Sequence, residues 1–346
     1  MSSTFRIRKI KIEGYKGIDS LEIEWPDFES MHLNDVTLLG SRNGAGKTSI
    51  LECCTLLLAA FAGMLPPRFR RDEAEFIGGS FSKSTISGVI DDCEGAHQVC
   101  VEIDKNMKVC VKADNTRQSK NSKKIDLEEI LGQTPEPVQG KGFLLLHGYR
   151  KMREGRIEMG SLVNDSRDDR EARYYSPTLF RRSNSSLGTF KQMVMKWMLK
   201  EAGLLESGTS EADSSLQADA ARNVLERLLE VYARVKIDKL RPYPDSTFNL
   251  LVRPLEPTDA PAFPIDGLSS GQKEIISTLY MIWEATLGNP CVVMIDEPEM
   301  HLNAGWHMGY ITELTHIAPH NQYIIATHSK TFMSSVEPEQ RLHIEN

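Results

Sequence analysis

Apolar and charged positions alternate from the start of the chain. Ile7, Ile10 and Ile12 lead to a turn at Gly14-Tyr15-Lys16-Gly17, after which Leu21, Ile23 and Trp25 alternate with acids, so the first 25 residues predict a hairpin. A short apolar strand, Val36-Thr37-Leu38-Leu39, runs into a glycine-rich turn. An apolar helix is expected from Thr48 to about Met64, ended by Gly63 and the Pro66-Pro67 pair. Alternation returns over residues 84–113, where 99–113 reads as two strands of a hairpin, and Phe143–Leu146 is a further apolar strand. Two amphipathic helices are predicted at about Leu187–Leu204 and Leu216–Val235, joined by a Ser/Asp/Glu-rich linker. Their apolar residues recur every three to four positions, the spacing of a core face, and neither continues into a long heptad array. The last third predicts a helix at Gln272–Thr286, a strand at Val292–Ile295, a helix from about Ala304 to Ile317 and a strand at Tyr323–Ala326. Strands alternating with helices imply crossover connections and a partly parallel sheet.

Charge narrows the class. The 346 residues carry 41 Lys and Arg against 48 Asp and Glu, a net charge of −7. This excludes an all-over attraction to nucleic acid or anionic membrane and leaves only local basic faces open. Three such segments stand out, at 115–124, 150–156 and 181–182, for which solvated loops are the plainer explanation. Leu56–Leu65, the longest apolar stretch, has about ten residues where a spanning helix needs roughly 20, and the N-terminus has no apolar signal core, so a cytoplasmic protein is expected. The six cysteines are irregularly spaced, as reduced thiols are. Cys93, Cys100, Cys110 and His97 lie on strand-like alternation without a Cys-x-x-Cys pair, so no zinc site is expected there.

Four short stretches carry chemistry. Ser41-Arg42-Asn43-Gly44-Ala45-Gly46-Lys47-Thr48 lies between an apolar strand and a helix. Small residues let consecutive amides turn inward on an anion, and a helix N-terminus then faces the phosphates. Lys47 suits the β- and γ-phosphates and the Thr48 hydroxyl a magnesium ion, with Ser49 next to it; Ser41 replaces the usual first glycine. Val292–Glu297 is an apolar strand ending in two acids at a sheet's C-terminal edge, where Asp296 is placed to hold magnesium and Glu297 to polarise an attacking water. Leu268-Ser269-Ser270-Gly271-Gln272 opens an apolar helix as a second anion site, or as a plain N-cap. Thr327-His328-Ser329 ends the last strand, placing a histidine where a γ-phosphate can be met.

In this order the four stretches resemble the ABC-type ATPases, as Walker A (41–48), signature (268–272), Walker B (292–297) and switch (His328). More narrowly, the chain resembles the soluble branch with the SMC, RecF and OLD-like ATPases, through its Gly14-Tyr15-Lys16-Gly17-Ile18 opening, its Asp-Glu-Pro-Glu-Met-His-Leu run and its Ala-Thr-His-Ser switch. The resemblance implies an α/β ABC-type ATPase head with a mixed sheet, a phosphate-loop lobe plus antiparallel strands, formed by residues 1–165 and 240–346 around a helical insertion at 166–239. It also implies ATP and Mg2+ between two head-to-tail protomers. Glu297, His328 and Lys47 would be catalytic. Ser41, Asn43, Gly44, Ala45, Gly46, Lys47, Thr48 and Ser49 would hold the nucleotide from one side, and Ser269, Gly271 and Gln272 from the other. Thr48 and Asp296 would hold the metal, and His301 and Asn303 would occupy the loop between the sites. The family's Q-loop glutamine is missing, and His147 is the positional candidate for it.

A transport motor is disfavoured by the opening hairpin and by the absent glutamine. Helices of about 20 residues give no long coiled-coil arm, which leaves a RecF-like DNA clamp as the alternative. The middle region is also similar to the ATPases of Septu-type and retron-associated anti-phage systems, which pair with an HNH nuclease subunit. No nuclease constellation occurs in the chain, so the expected partners are a second copy, a separate effector nuclease and nucleic acid, with no membrane.

Overall fold

The computed structural model describes residues 5–41, 44–69, 83–113, 138–140, 142–148, 155–158, 190–201, 211–287, 290–300 and 302–344. The opening alternation folds as antiparallel strands β1 (Arg6–Tyr15) and β2 (Ile18–Glu24), with Tyr15 opposite Ile18 across the turn. Strand β3 (Val36–Gly40) leads into helix α1 (Lys47–Phe61), and β4 (Lys83–Asp92), β5 (Gly95–Asp104) and β6 (Val109–Ala113) follow. Next come β7 (Val138–Gly140), β8 (Phe143–Leu146), β9 (Ile157–Glu158), α2 (Phe190–Glu201) and α3 (Glu211–Ala233). Strands β10 (Val235–Pro242), β11 (Thr247–Pro254) and β12 (Phe263–Pro264) precede helix α4 (Ser270–Thr286). The chain then runs through β13 (Val292–Asp296), α5 (His307–Ile317), β14 (Gln322–Thr327), α6 (Lys330–Ser334) and β15 (Arg341–His343).

Two compact units divide these elements: Met1–Gly148 with Ala285–Asn346, and Tyr149–Glu284. The first holds a five-stranded antiparallel sheet, β2-β1-β4-β5-β6, and a six-stranded sheet, β15-β3-β14-β13-β8-β7, parallel except at the β7 edge. This is the mixed α/β architecture that the sequence implies. Helix α1 packs on strands of both sheets, and every one of its residues except Thr48 is buried. That is why its apolar residues run all round rather than along one stripe. Ile7, Ile10 and Ile12 of β1, Ile86 and Ile90 of β4, Met294 of β13 and Ile324 of β14 join Leu56 and Leu57 of α1 in one core. Strands β13 and β14 are buried at every position, which accounts for their unbroken apolar runs. Gly88 of β4 permits the close approach of this helix: a Cβ there would fall 2.7 Å from Cδ2 of Leu57 and 2.2 Å from the Lys9 carbonyl oxygen.

In the second unit β11 pairs with β10 on one edge and with β9 and β12 on the other, all antiparallel. The β10–β11 hairpin is an element that the sequence pattern did not predict. Helix α3 begins at Glu211, so it absorbs part of the expected linker, consistent with acids at a helix N-terminus favouring the helix. Ala221, Leu225, Leu228, Leu229 and Tyr232 are its buried stripe. The helix stops at Arg234, whose φ of 54° turns the chain back into β10. Among the described residues no helix is long and apolar enough to cross a membrane.

Candidate functional site

The C-terminal ends of four neighbouring parallel strands, β3, β14, β13 and β8, bring the first unit's candidate residues to one sheet edge, the usual ligand position of open α/β sheets. Strand β3 delivers Gly40 and then the loop. Gly44 and Gly46 have φ of 83° and 84°, the left-handed region. Gly46 is the N-cap of α1 and makes no side-chain cap hydrogen bond. A Cβ there would also sit 3.1 and 3.2 Å from the Ile18 side chain. The loop thus reaches the helix without covering its N-terminal amides with a side chain of the cap residue. Arg42 and Asn43 lie outside the described residues; Ala45 is half-buried and Ser49 is buried.

Lys47 is buried, and its Nζ donates to Ser41 Oγ at 2.9 Å and lies 3.2 Å from His328 Nδ1. Burial lowers its pKa, opposed by the negative charges of Glu297, Asp296 and Glu299. Thr48 Oγ1 donates to Asp296, with its two carboxylate oxygens at 3.0 and 3.2 Å. Asp296 is buried at the end of β13, and His147, just past the neighbouring β8, has its Nε2 3.9 Å from Asp296 Oδ2. Glu297 follows with φ of 46°, a left-handed conformation rare outside glycine, and its amide donates to the Ala326 carbonyl at 2.8 Å. Its Oε1 stands 3.2 Å from His328 Nε2. The histidine ring thus lies between Lys47 on one nitrogen and Glu297 on the other.

Two carboxylates, half-buried Glu299 and buried Glu52, escape sequence reasoning. Glu299 Oε1 accepts from the Thr327 hydroxyl at 2.8 Å and from the amides of His328 and Ser329 at 2.6 and 3.1 Å. Glu52, one turn along α1 from Thr48, is bound by Lys16 Nζ at 2.6 and 2.8 Å and by the Tyr15 hydroxyl at 3.1 Å, while burial raises its pKa. Neither carries a local signal. Glu299 sits in the Asp-Glu-Pro-Glu run, but its partners lie about thirty residues further on, and Glu52 reads as an ordinary helix acid.

The Ser269 stretch belongs to the second unit and forms the start of α4. The Ser269 amide donates to Gln272 Oε1 at 3.0 Å, and the Gln272 amide donates to Ser269 Oγ at 3.3 Å, a reciprocal capping box. Gln272 Nε2 donates in turn to the Tyr232 carbonyl at 3.2 Å. Ser269 is exposed and Gly271 buried. In the same unit Arg156 stacks 3.6 Å over the Tyr243 ring and pairs with Asp245 at 3.2 Å. The basic stretches 115–124, 150–154 and 181–182, together with His301, Tyr149 and Arg150, lie outside the described residues. Asn303 Oδ1 accepts from Gly305 N at 2.9 Å, capping the short turn before α5.

This edge gathers the residue types of a nucleotide site, and the chain as a whole is similar to known ATPases. Two family models match: "AAA domain" over residues 9–144, and "AAA domain, putative AbiEii toxin, Type IV TA system" over residues 162–334, half the chain. A curated relative, "Retron Vc95 probable ATPase" of Vibrio cholerae serotype O1 biovar El Tor, is 31% identical over 86 residues, covering 22% of this chain and only 17% of the relative's length. Among solved structures, an SMC head bound to the C-winged helix domain of ScpA has a TM-score of 0.54 at 12% identity, covering 95% of this chain and 91% of the other. A Pyrococcus furiosus Smc head domain with an extended coiled coil, bound to the C-terminal domain of ScpA, gives 0.52 at 11% identity, with 96% and 92% covered. The fold is that of SMC heads, and the chain belongs to the AAA-domain family as an ATPase.

Proposed function

We propose that this chain binds magnesium-ATP at the β3–β8–β13–β14 edge, hydrolyses it between two head-to-tail copies and thereby regulates a separate effector, a nuclease, in prokaryotic anti-phage defence. The observation that carries the reading is the convergence of Lys47, the Thr48–Asp296 pair and the Glu297–His328 pair on one strand edge. A hydroxyl and a carboxylate 3.0 Å apart fit a hard cation that keeps most of its water. The left-handed glycines, the uncapped start of α1 and the buried Lys47 fit a polyphosphate. Magnesium, when bound, would neutralise phosphate charge.

The chain's own residues do the rest. Lys47 supplies positive charge at the loop, where its contacts with Ser41 Oγ and His328 Nδ1 can give way to a phosphate oxygen. Glu297 orients water and takes its proton, and its left-handed backbone turns the carboxylate out of the strand line. The His328 ring stands between Glu297 and Lys47, its Nδ1 3.2 Å from Lys47 Nζ and its Nε2 3.2 Å from Glu297 Oε1. Functionally we group residues 240–346 with 1–165 as the ATPase core and 166–239 as its insertion. Ser269 and Gly271 then serve the partner copy's nucleotide, and His147 stands in for the Q-loop glutamine. The match to a retron ATPase supports the defence role; the nuclease partner and the cytoplasmic site of action are part of the same proposal.

The test compares ATP turnover and light scattering of wild type and Glu297→Gln. The expected result is turnover lost by about 10²–10⁴-fold with an ATP-dependent dimer retained. Unchanged turnover overturns the reading.

A further inference from the structure

Two acids two residues apart treat the same histidine differently. Glu297 meets the His328 ring at Nε2, whereas Glu299 takes the His328 backbone amide. The Glu297 φ of 46° and Pro298 between them turn the chain so that the two carboxylates diverge. A single oxygen of Glu299 collects three donors: the Thr327 hydroxyl and two successive amides. Amides that point together in this way form a concave anion site, and here an internal carboxylate fills it. Ser329 does not substitute for it, because its side chain is the cap of α6 and accepts from the Phe332 amide at 3.2 Å.

We infer that Glu299 is a positioning residue for ATP hydrolysis, fixing the end of β14 so that the His328 ring stays between Lys47 and Glu297. The inference rests on the catalytic reading of Glu297 and His328 given above. It concerns a backbone grip, so it predicts an effect on turnover that runs through His328. A carboxylate is required, since charge-assisted hydrogen bonds are about twice as strong as neutral ones. The other oxygen, Oε2, is buried and receives no hydrogen bond among the described residues, so the grip runs through Oε1 alone.

The test uses the full chain with Glu299→Gln, His328→Ala and the double variant, measuring kcat, KM for magnesium-ATP and Tm. Expected are a kcat lowered about 10- to 100-fold in Glu299→Gln, KM within about twofold and Tm within a few degrees of wild type, and a double variant no slower than His328→Ala alone. Thr327→Val, which removes one donor to Glu299 and an acceptor of the Ser329 amide but leaves the carboxylate, is expected to lower kcat about threefold to tenfold, again only while His328 is present. It serves as the second probe if Glu299→Gln folds poorly. Wild-type kcat in Glu299→Gln overturns the inference, as do losses in KM and Tm that parallel kcat, or a double variant whose defect is the product of the single ones. If Glu297→Gln and His328→Ala are inactive while Glu299→Gln is normal, only this inference fails; if those two turn over normally, the catalytic reading fails and takes this one with it.

Discussion

The chain contains two turns of small residues that each start a helix, and they end differently. At α1 the N-cap is Gly46, left-handed and without a side-chain cap. At α4 the N-cap is Ser269, which exchanges hydrogen bonds with Gln272. Gly46 has no side chain with which to cap the first turn of α1. The capping box pairs the Ser269 and Gln272 amides internally, so two of the donors at the start of α4 are already taken. Similar composition therefore leaves one helix start without a side-chain cap and gives the other a reciprocal one. What remains for a ligand at the second turn is the exposed Ser269 and the backbone around Gly271.

Substitutions sharpen the contrast, from large effects to small. Lys47→Ala should reduce ATP turnover about 10³-fold and abolish detectable nucleotide binding by calorimetry, because a buried ammonium disappears. Retained binding would break the assignment of the first turn as the receptor. Gly46→Ala meets both the left-handed φ and the Ile18 side chain, so it should cost about 1–3 kcal/mol in denaturant unfolding and weaken nucleotide binding with it. Gln272→Ala should cost only about 0.5–2 kcal/mol, and Ser269→Ala the same if capping is its whole role. A turnover defect in Ser269→Ala beyond that of Gln272→Ala would show that the serine does more than cap.

The smallest expected effect is on pH. The Lys47 pKa is lowered by burial, and the ammonium form is the one that attracts phosphate. Nucleotide affinity should therefore be full at neutral pH and decline as pH rises toward 10, earlier than an ordinary lysine would allow. Lys47→Arg should flatten that decline, and a flat wild-type profile would contradict the burial effect.

Much of this was legible because periodicity and burial coincide. Ile7, Ile10 and Ile12 point to the α1 core, and Val292–Ile295 is apolar throughout because β13 is covered on both faces. The β10–β11 hairpin was not legible, for a definable reason. A register shift between Ile237 and Lys239 breaks the two-residue period over which a strand is recognised. Within the site, Lys47, Thr48, Asp296, Glu297 and His328 could be read because each sits at a strand end or helix start. Glu299 could not, since its role is created when β14 is laid parallel to β13, with Asp296 opposite Ala326.

Enclosure of α1 by two sheets has a mechanical result. A helix with strands on opposite sides has no open flank along which to slide, so events at its first turn cannot be relayed by piston-like travel. The turns that flank its first residues are instead each tied down by a carboxylate, the Lys16 turn by Glu52 and the His328 turn by Glu299.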